Sequence, residues 1–249
     1  MIRGLYTAAS GMLVGMARQD VWSNNLANAQ TPGYRQDEVA LRSFPDVLLK
    51  RYEAASPAGV ILGRLGSGAD VAEVVACSLP GRYVQTQNPL DLALEGDGYL
   101  AVATAAGTRY TRQGRLHLDG DGFLCTATAH RVLDQSGVPI RLAGGEEPVI
   151  EPDGRLIVAG ESAGQIGLWR IAGGVSPRKE GQNLFAAGAV VPDGGMTRVR
   201  QSSVELPNLD AIGAMTEMLS ILRAYEASQK ALQAQDETLG KAVNEVGRV

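Results

Sequence analysis

The residues able to do chemistry are few and scattered. Asp119-Gly120-Asp121-Gly122 sets two carboxylates two apart in a glycine loop, the start of a calcium site. A calcium loop needs further oxygen ligands and a distal glutamate, which this stretch lacks, so a hairpin turn is the simpler reading. Glu95 and Asp97 flank Gly96, a carboxylate pair of the kind glycoside hydrolysis uses. Carboxylates beside glycines are also ordinary turn chemistry, and the turn explains them with less. His117 stands in the alternating run Arg115-Leu116-His117-Leu118, and with His130 the only other histidine there is no third to complete a ligand set. That pattern suits a solvent-facing strand residue better than a ligand. Cys77 and Cys125 allow two free thiols or one bridge, and they lack metal-site spacing. Trp22 and Trp169 read as packing residues rather than a sugar platform. No phosphate loop ending in Gly-Lys-Ser/Thr and no Gly-x-Gly-x-x-Gly motif occurs. The expectation is a chain with no catalytic residue, no cofactor and no metal.

The elements that would position such residues are more informative. From Met218, every seventh residue forms a stripe: Met218, Tyr225, Leu232, Leu239 and Val246. Ile221, Ser228, Gln235 and Ala242 interleave with it. A 3-4 spacing held over about four heptads is the period of a helix burying one seam against another helix. Glu226 precedes Lys230 by four, and Glu237 precedes Lys241 by four, which supports the helix off its seam. At ~1.5 Å per residue the helix would run about 55 Å, longer than a domain of this size needs. Its partners are therefore expected largely on other chains.

A second seam opens the chain, through Ile2, Leu5, Ala9, Met12, Met16, Gln19, Ser23 and Leu26. Thr31-Pro32-Gly33 stops it, because proline disfavours helix in the residue before it and glycine supplies a turn. Packing the two end helices side by side leaves everything between them hanging off a helical stem. From about Asn88 to Arg200 the period becomes two, with short apolar runs such as 99–103, 115–118 and 167–171 between glycine turns, as in an antiparallel β domain. Residues 44–52 read as one or two helical turns (Val47, Leu48, Tyr52), 54–68 as extended and 71–76 as a strand. The predicted fold class is α+β: 1–34 an N-terminal stem helix, 35–86 an extended linker with a short helix, 87–205 a central β domain, and 206–249 a C-terminal stem helix.

Composition bounds the partners. The 249 residues are 45% apolar and 20% charged, with mean hydropathy −0.05, enough to bury a core. The 31 glycines fit many turns between strands. A net charge of −4 offers no basic field for nucleic acid, which is excluded as a main partner. The uncharged run 4–17 mimics a signal peptide, but Thr7, Ser10, Gly11 and Gly15 dilute it, and it falls short of the ~20 apolar residues of a membrane span. It is expected to stay on the chain.

Asn24-Asn25-Leu26-Ala27-Asn28 sets three asparagines near a helix end. Asparagine amides compete for backbone groups, so two readings stand: capping, or amides that bridge the helix to a neighbouring backbone and fix its register.

Three motifs carry a resemblance. Residues 4–12 (Gly-Leu-Tyr-Thr-Ala-Ala-Ser-Gly-Met), with Asn24, Asn25, Asn28 and Thr31-Pro32-Gly33-Tyr34, form the first. Pro89-Leu90-Asp91 through Glu95-Gly96-Asp97-Gly98-Tyr99 forms the second, continued by 110–114 and 121–124. Arg223-Ala224-Tyr225-Glu226-Ala227 forms the third. In this order they resemble the bacterial flagellar rod and hook proteins, among which the distal-rod (FlgG) and proximal-rod (FlgF) types are most similar. The family's usual run before its last helix differs here, reading Val204-Glu205-Leu206-Pro207-Asn208-Leu209. The resemblance implies a structural subunit, exported by the flagellar type III apparatus without a cleaved signal. It implies partners among its own copies and other rod and hook proteins, a place in the basal body within the cell envelope, and no small-molecule substrate. Leu5, Met12, Met16, Leu26, Met218, Ile221, Tyr225, Leu232 and Leu239 are the expected assembly seams. A reading from another class, an extracellular β-type binding module on a coiled-coil stalk, shares this layout.

Overall fold

The computed structural model describes residues 2–53, 56–142, 147–172, 177–181 and 183–246. The side chains of Ile2, Tyr52 and Val246, named above, lie outside the described set. The chain divides into two compact units.

The first unit comprises 1–26, 37–75 and 211–249. It holds α1 (Ile2–Ala27), β1 (Asp37–Ser43), β2 (Val47–Glu53), β3 (Ser56–Leu65), β4 (Ala69–Ala76) and α2 (Ala211–Val246). Both predicted end helices are present. α2 is built from Ala, Leu, Glu, Gln and Lys, strong helix formers with no proline after Pro207. Within the stretch predicted as a linker, β1 pairs with β4, and β2 pairs antiparallel with β3. The helical turns expected at 44–52 are therefore a correction: Val47 faces Leu65 and Leu48 faces Arg64 as strand partners. Local periodicity over so few residues does not separate a helical turn from a strand, and cross-strand pairing decided it.

The second unit comprises 27–36 and 76–210. After β5 (Tyr83–Gln85) and β6 (Leu92–Glu95) come β7 (Gly98–Thr104), β8 (Gly107–Thr111), β9 (Leu116–Leu118), β10 (Leu124–Thr126) and β11 (Arg131–Val132). They are followed by β12 (Val149–Ile150), β13 (Arg155–Val158), β14 (Glu161–Gln165), β15 (Leu168–Ile171) and β16 (Arg178–Lys179). The last are β17 (Leu184–Ala186), β18 (Val190–Pro192), β19 (Arg198–Gln201) and β20 (Ser203–Glu205).

The largest sheet runs β16-β17-β8-β7-β11-β10-β9, with β15 also pairing β7. Its pairings are antiparallel, as the period-two reading expected. β7 is its centre. Leu100 and Val102 point into one core with Leu92, Leu116, Leu124 and Ile166. Ala101 between them points into a second core with Tyr110, Leu133 and Phe185. Alternate residues of one strand thus bury on opposite faces. β6 pairs with β19, and β5 with β20, bringing the chain before α2 back beside the chain that precedes the sheet.

Candidate assembly surfaces and helix roots

Three of the carboxylates that suggested chemistry, Asp119, Asp121 and Glu95, are held in ion pairs, and Asp97 is exposed. Asp119 accepts from the N–H groups of Asp121 (2.9 Å) and Phe123 (2.8 Å), closing the predicted turn. Its other oxygen takes Arg131 at 3.1 Å. The Phe123 N–H foremost, then that of Asp121 and the Arg131 guanidinium, hold its carboxyl below the ordinary range. Glu95 is tied to Arg200 at 2.9 Å across the β6–β19 pair. His117 is an exposed strand residue. Both cysteines are free thiols, Cys125 buried. Trp169 packs edge-on against Tyr110.

The α2 seam is the covered stripe of its helix. Ile221 is buried, and Met218, Tyr225, Ser228, Leu232, Gln235, Leu239 and Ala242 are half-buried at the predicted 3-4 spacing. Arg223 and Glu226 point outward. On α1 the geometry differs from expectation. The side meeting α2 is the small one: a Cβ on Gly15 would lie 3.6 Å from the Tyr225 ring, and one on Gly11 3.4 Å from Ser228 Oγ. Gly4 lies under the Gln235 amide, and Arg18 pairs with Glu217 at 2.6 Å. Ascending numbers in α1 meet descending numbers in α2, so the two run antiparallel. Leu5 and Met12 lie roughly 100° around α1 from this line. They and Leu26 are half-buried, and Met16 is 51% exposed. The periodicity identified an apolar side of α1, but close approach selected the glycines, which leave room for a Tyr225-sized side chain.

At the end of α1 the bridging reading of the asparagines holds for Asn25. The Asn25 amide is fully buried; its Nδ2 donates to Asp37 O and its Oδ1 accepts from Asp37 N, both at 2.8 Å. This reciprocal pair copies one rung of a β ladder and joins α1 to β1. Asn24 is exposed. Asn28 begins the turn that ends the helix, accepting from Thr31 N at 3.0 Å. Gly33 sits at φ +71°, and a Cβ there would fall 2.2 Å from Arg112 O, so only glycine fits. Asn183 donates to Pro32 O.

The central motif is likewise structural. Asp91 is buried, accepts from Asn88 Nδ2 at 3.1 Å, and its N–H closes a turn on Asn88 O. Pro89 O accepts from Gln201. Gly96 takes φ +126°, and Gly98 lies against Thr197, too close for a Cβ.

Sequence reasoning passed over the most unusual group in the second unit. Arg35, Arg112 and Glu205 form a buried triad, with side-chain exposures of 4% or less. Glu205 Oε1 binds Arg35 at 2.8 Å and the Gly81 N–H at 3.0 Å, while Oε2 binds Arg112 at 3.1 Å. Arg35 also donates to Ser78 O, Arg112 donates to Gly96 O, and Arg112 stacks over Tyr99. Burial, then the neighbouring Arg112 charge, pulls the Arg35 guanidinium below its ordinary value, with Glu205 opposing. The available signal was Glu205 set between Val204 and Leu206 in a strand, a charge among apolar neighbours.

Three family models match, in chain order. That for "Flagella basal body rod protein" covers 5–35, "Flagellar hook protein FlgE/F/G D1 domain" covers 93–158, and "Flagellar basal body rod FlgEFG protein C-terminal" covers 200–245. The chain is 33% identical to the flagellar hook-basal body complex protein FlhO of Bacillus subtilis, over 100% of both chains. It is 31% identical to the basal-body rod protein FlgF of Escherichia coli, over 97% of each. The basal-body rod protein FlgG of Bacillus subtilis is 30% identical, over 98% of this chain and 99% of its own. The chain belongs to the flagellar basal-body rod and hook–basal body family. In this family member each matched segment contributes one member of the buried triad: Arg35 lies in the first, Arg112 in the second and Glu205 in the third.

Proposed function

We propose that the protein is a structural subunit of the flagellar basal-body rod. It self-assembles into a helical tube that encloses the export channel and transmits torque between motor and hook. The carrying observation is the poverty of the first unit's core. Among its described residues only Ala214 and Ile221 are buried apolar side chains. Tyr6, Leu13, Ile61, Leu62, Ile212 and Val243 are each more than half exposed. Surface of this kind is covered by other chains, and head-to-tail contacts that do not close generate filaments. In the tube the antiparallel helices act as a coiled-coil-like stem, with the Leu5, Met12 and Met16 side of α1 and the outer side of α2 packed on neighbouring copies. Partners are further copies, other rod and hook proteins and the type III export apparatus. No catalytic role is assigned.

The distal-rod position is the preferred reading, supported by full-length similarity to FlgG of Bacillus subtilis. Equal similarity to FlgF of Escherichia coli supports the proximal position as the second. Electron microscopy of basal bodies from a deletion strain decides between them by which rod segment is missing. For the assembly itself, removing 1–26 and 211–249 should leave a folded β unit that no longer polymerises. Retained polymerisation sinks the proposal. A discrete closed oligomer of the intact chain, seen by light scattering, points instead to a stalked binding module.

A further inference from the structure

Glu205 touches both stretches of chain that lead to the terminal helices. Its main-chain oxygen accepts the Gly33 N–H at 2.8 Å, a few residues after α1 ends. Its carboxylate holds Arg35 in the same stretch, together with Arg112 and the Gly81 N–H. Glu205 itself closes β20, and only five residues separate it from α2. The next N–H, that of Leu206, donates to Arg82 O. The three charged side chains are removed from water together, and two guanidiniums share one carboxylate. Apolar side chains gain from any burial, whereas a buried guanidinium is tolerated only with its counter-charge in place. With β20 undocked, Arg35 and Arg112 would face each other with no anion between them.

We propose that Glu205 is a positioning residue that makes the ordering of residues 31–35 conditional on the docking of β20. The root of α1 is fixed only when the root of α2 is in place. An apolar triad of similar volume could be as stable, but each piece would then bury independently. The charge arrangement makes the half-docked state unfavourable, so the two roots open and close as one. The inference rests on the second unit alone and does not depend on the rod reading.

Native-state amide exchange of the full chain tests it. In the unaltered protein the amides of 33–36 and of 203–206 should exchange through one common opening, with the same rate and denaturant dependence. Glu205→Gln should accelerate both groups about a hundredfold or more, the scale expected when a buried ion pair loses one partner. Amides of β9 and β10 should change less than about twofold, since distant sites do not couple. Adding Arg35→Met to Glu205→Gln should recover about tenfold or more, because one orphaned charge is gone. Independent openings of the two groups in the unaltered chain overturn the proposal, as does loosening of 203–206 alone. Should Glu205→Gln fail to fold, Arg35→Lys decides: equal acceleration of both groups supports the coupling, and acceleration of 33–36 alone overturns it.

Discussion

The two units solve burial in opposite ways. In the β unit the middle of β7 is closed off on both faces, with Leu100 and Val102 at 0% exposure on one and Ala101 at 2% on the other. Among the described residues of the helical unit the most deeply buried side chain is a polar one, Asn25. Its large apolar residues lie mostly outward. The β unit has two buried apolar clusters, whereas the helical unit is held internally by two strand pairs, small-residue contacts, a reciprocal amide bridge and surface ion pairs. Apolar surface is thereby divided unevenly: one unit encloses it, and the other leaves much of it exposed.

Substitutions that should cost much in one unit and little in the other sharpen this contrast. Leu100→Ala should destabilise the β unit by about 2–5 kcal/mol, read from its denaturant midpoint, because the cavity is enclosed. The same type of change at two glycines should then diverge. Gly33→Ala sets a Cβ against the Arg112 backbone at positive φ and should lower stability by about 1–3 kcal/mol. Gly4→Ala displaces only the flexible end of Gln235 and gains helix propensity, so stability read by thermal melting should change by about 1 kcal/mol or less. Equal losses at both would erase the distinction between the units. Asn25→Ala removes both bonds between the amide and the Asp37 backbone. A loss of about 1–3 kcal/mol is expected, visible as faster exchange at Asp37 with β7 unaffected. Arg18→Met should cost about 0–1 kcal/mol and vanish at high salt, because both partners are 38% exposed. Smallest is the Asp119 turn. A carboxyl whose folded value is depressed contributes stability that is whole above its ordinary range and is lost as pH falls through the folded value. Asp119→Asn should therefore lower the neutral plateau of the stability curve slightly and flatten its acid limb, with stability at low pH nearly unchanged.

Much of this was legible from local pattern. The α2 seam from Met218 to Leu239 is the covered stripe of the helix, because a 3-4 repeat over that many residues leaves one side to bury. The strands around β7 and the Asp119 turn were legible for the same reason, since period two and glycine placement act within a few residues. The hairpin of β2 and β3 was not: Val47-Leu48-Leu49 suits either a helical turn or a strand until Arg64 and Leu65 come alongside. Nor was the side of α1 that meets α2, because apolar spacing marks Leu5 and Met12, while the closeness of approach depends on Tyr225 and Gln235 arriving from the other end of the chain. The amino-acid order by itself determined the two end helices, the strands around β7 and which side of α2 is buried. Tertiary structure alone decided that Arg35, Arg112 and Glu205 share one buried site. Charges distant in sequence carry no periodicity, and only the folded path brings them within bonding distance.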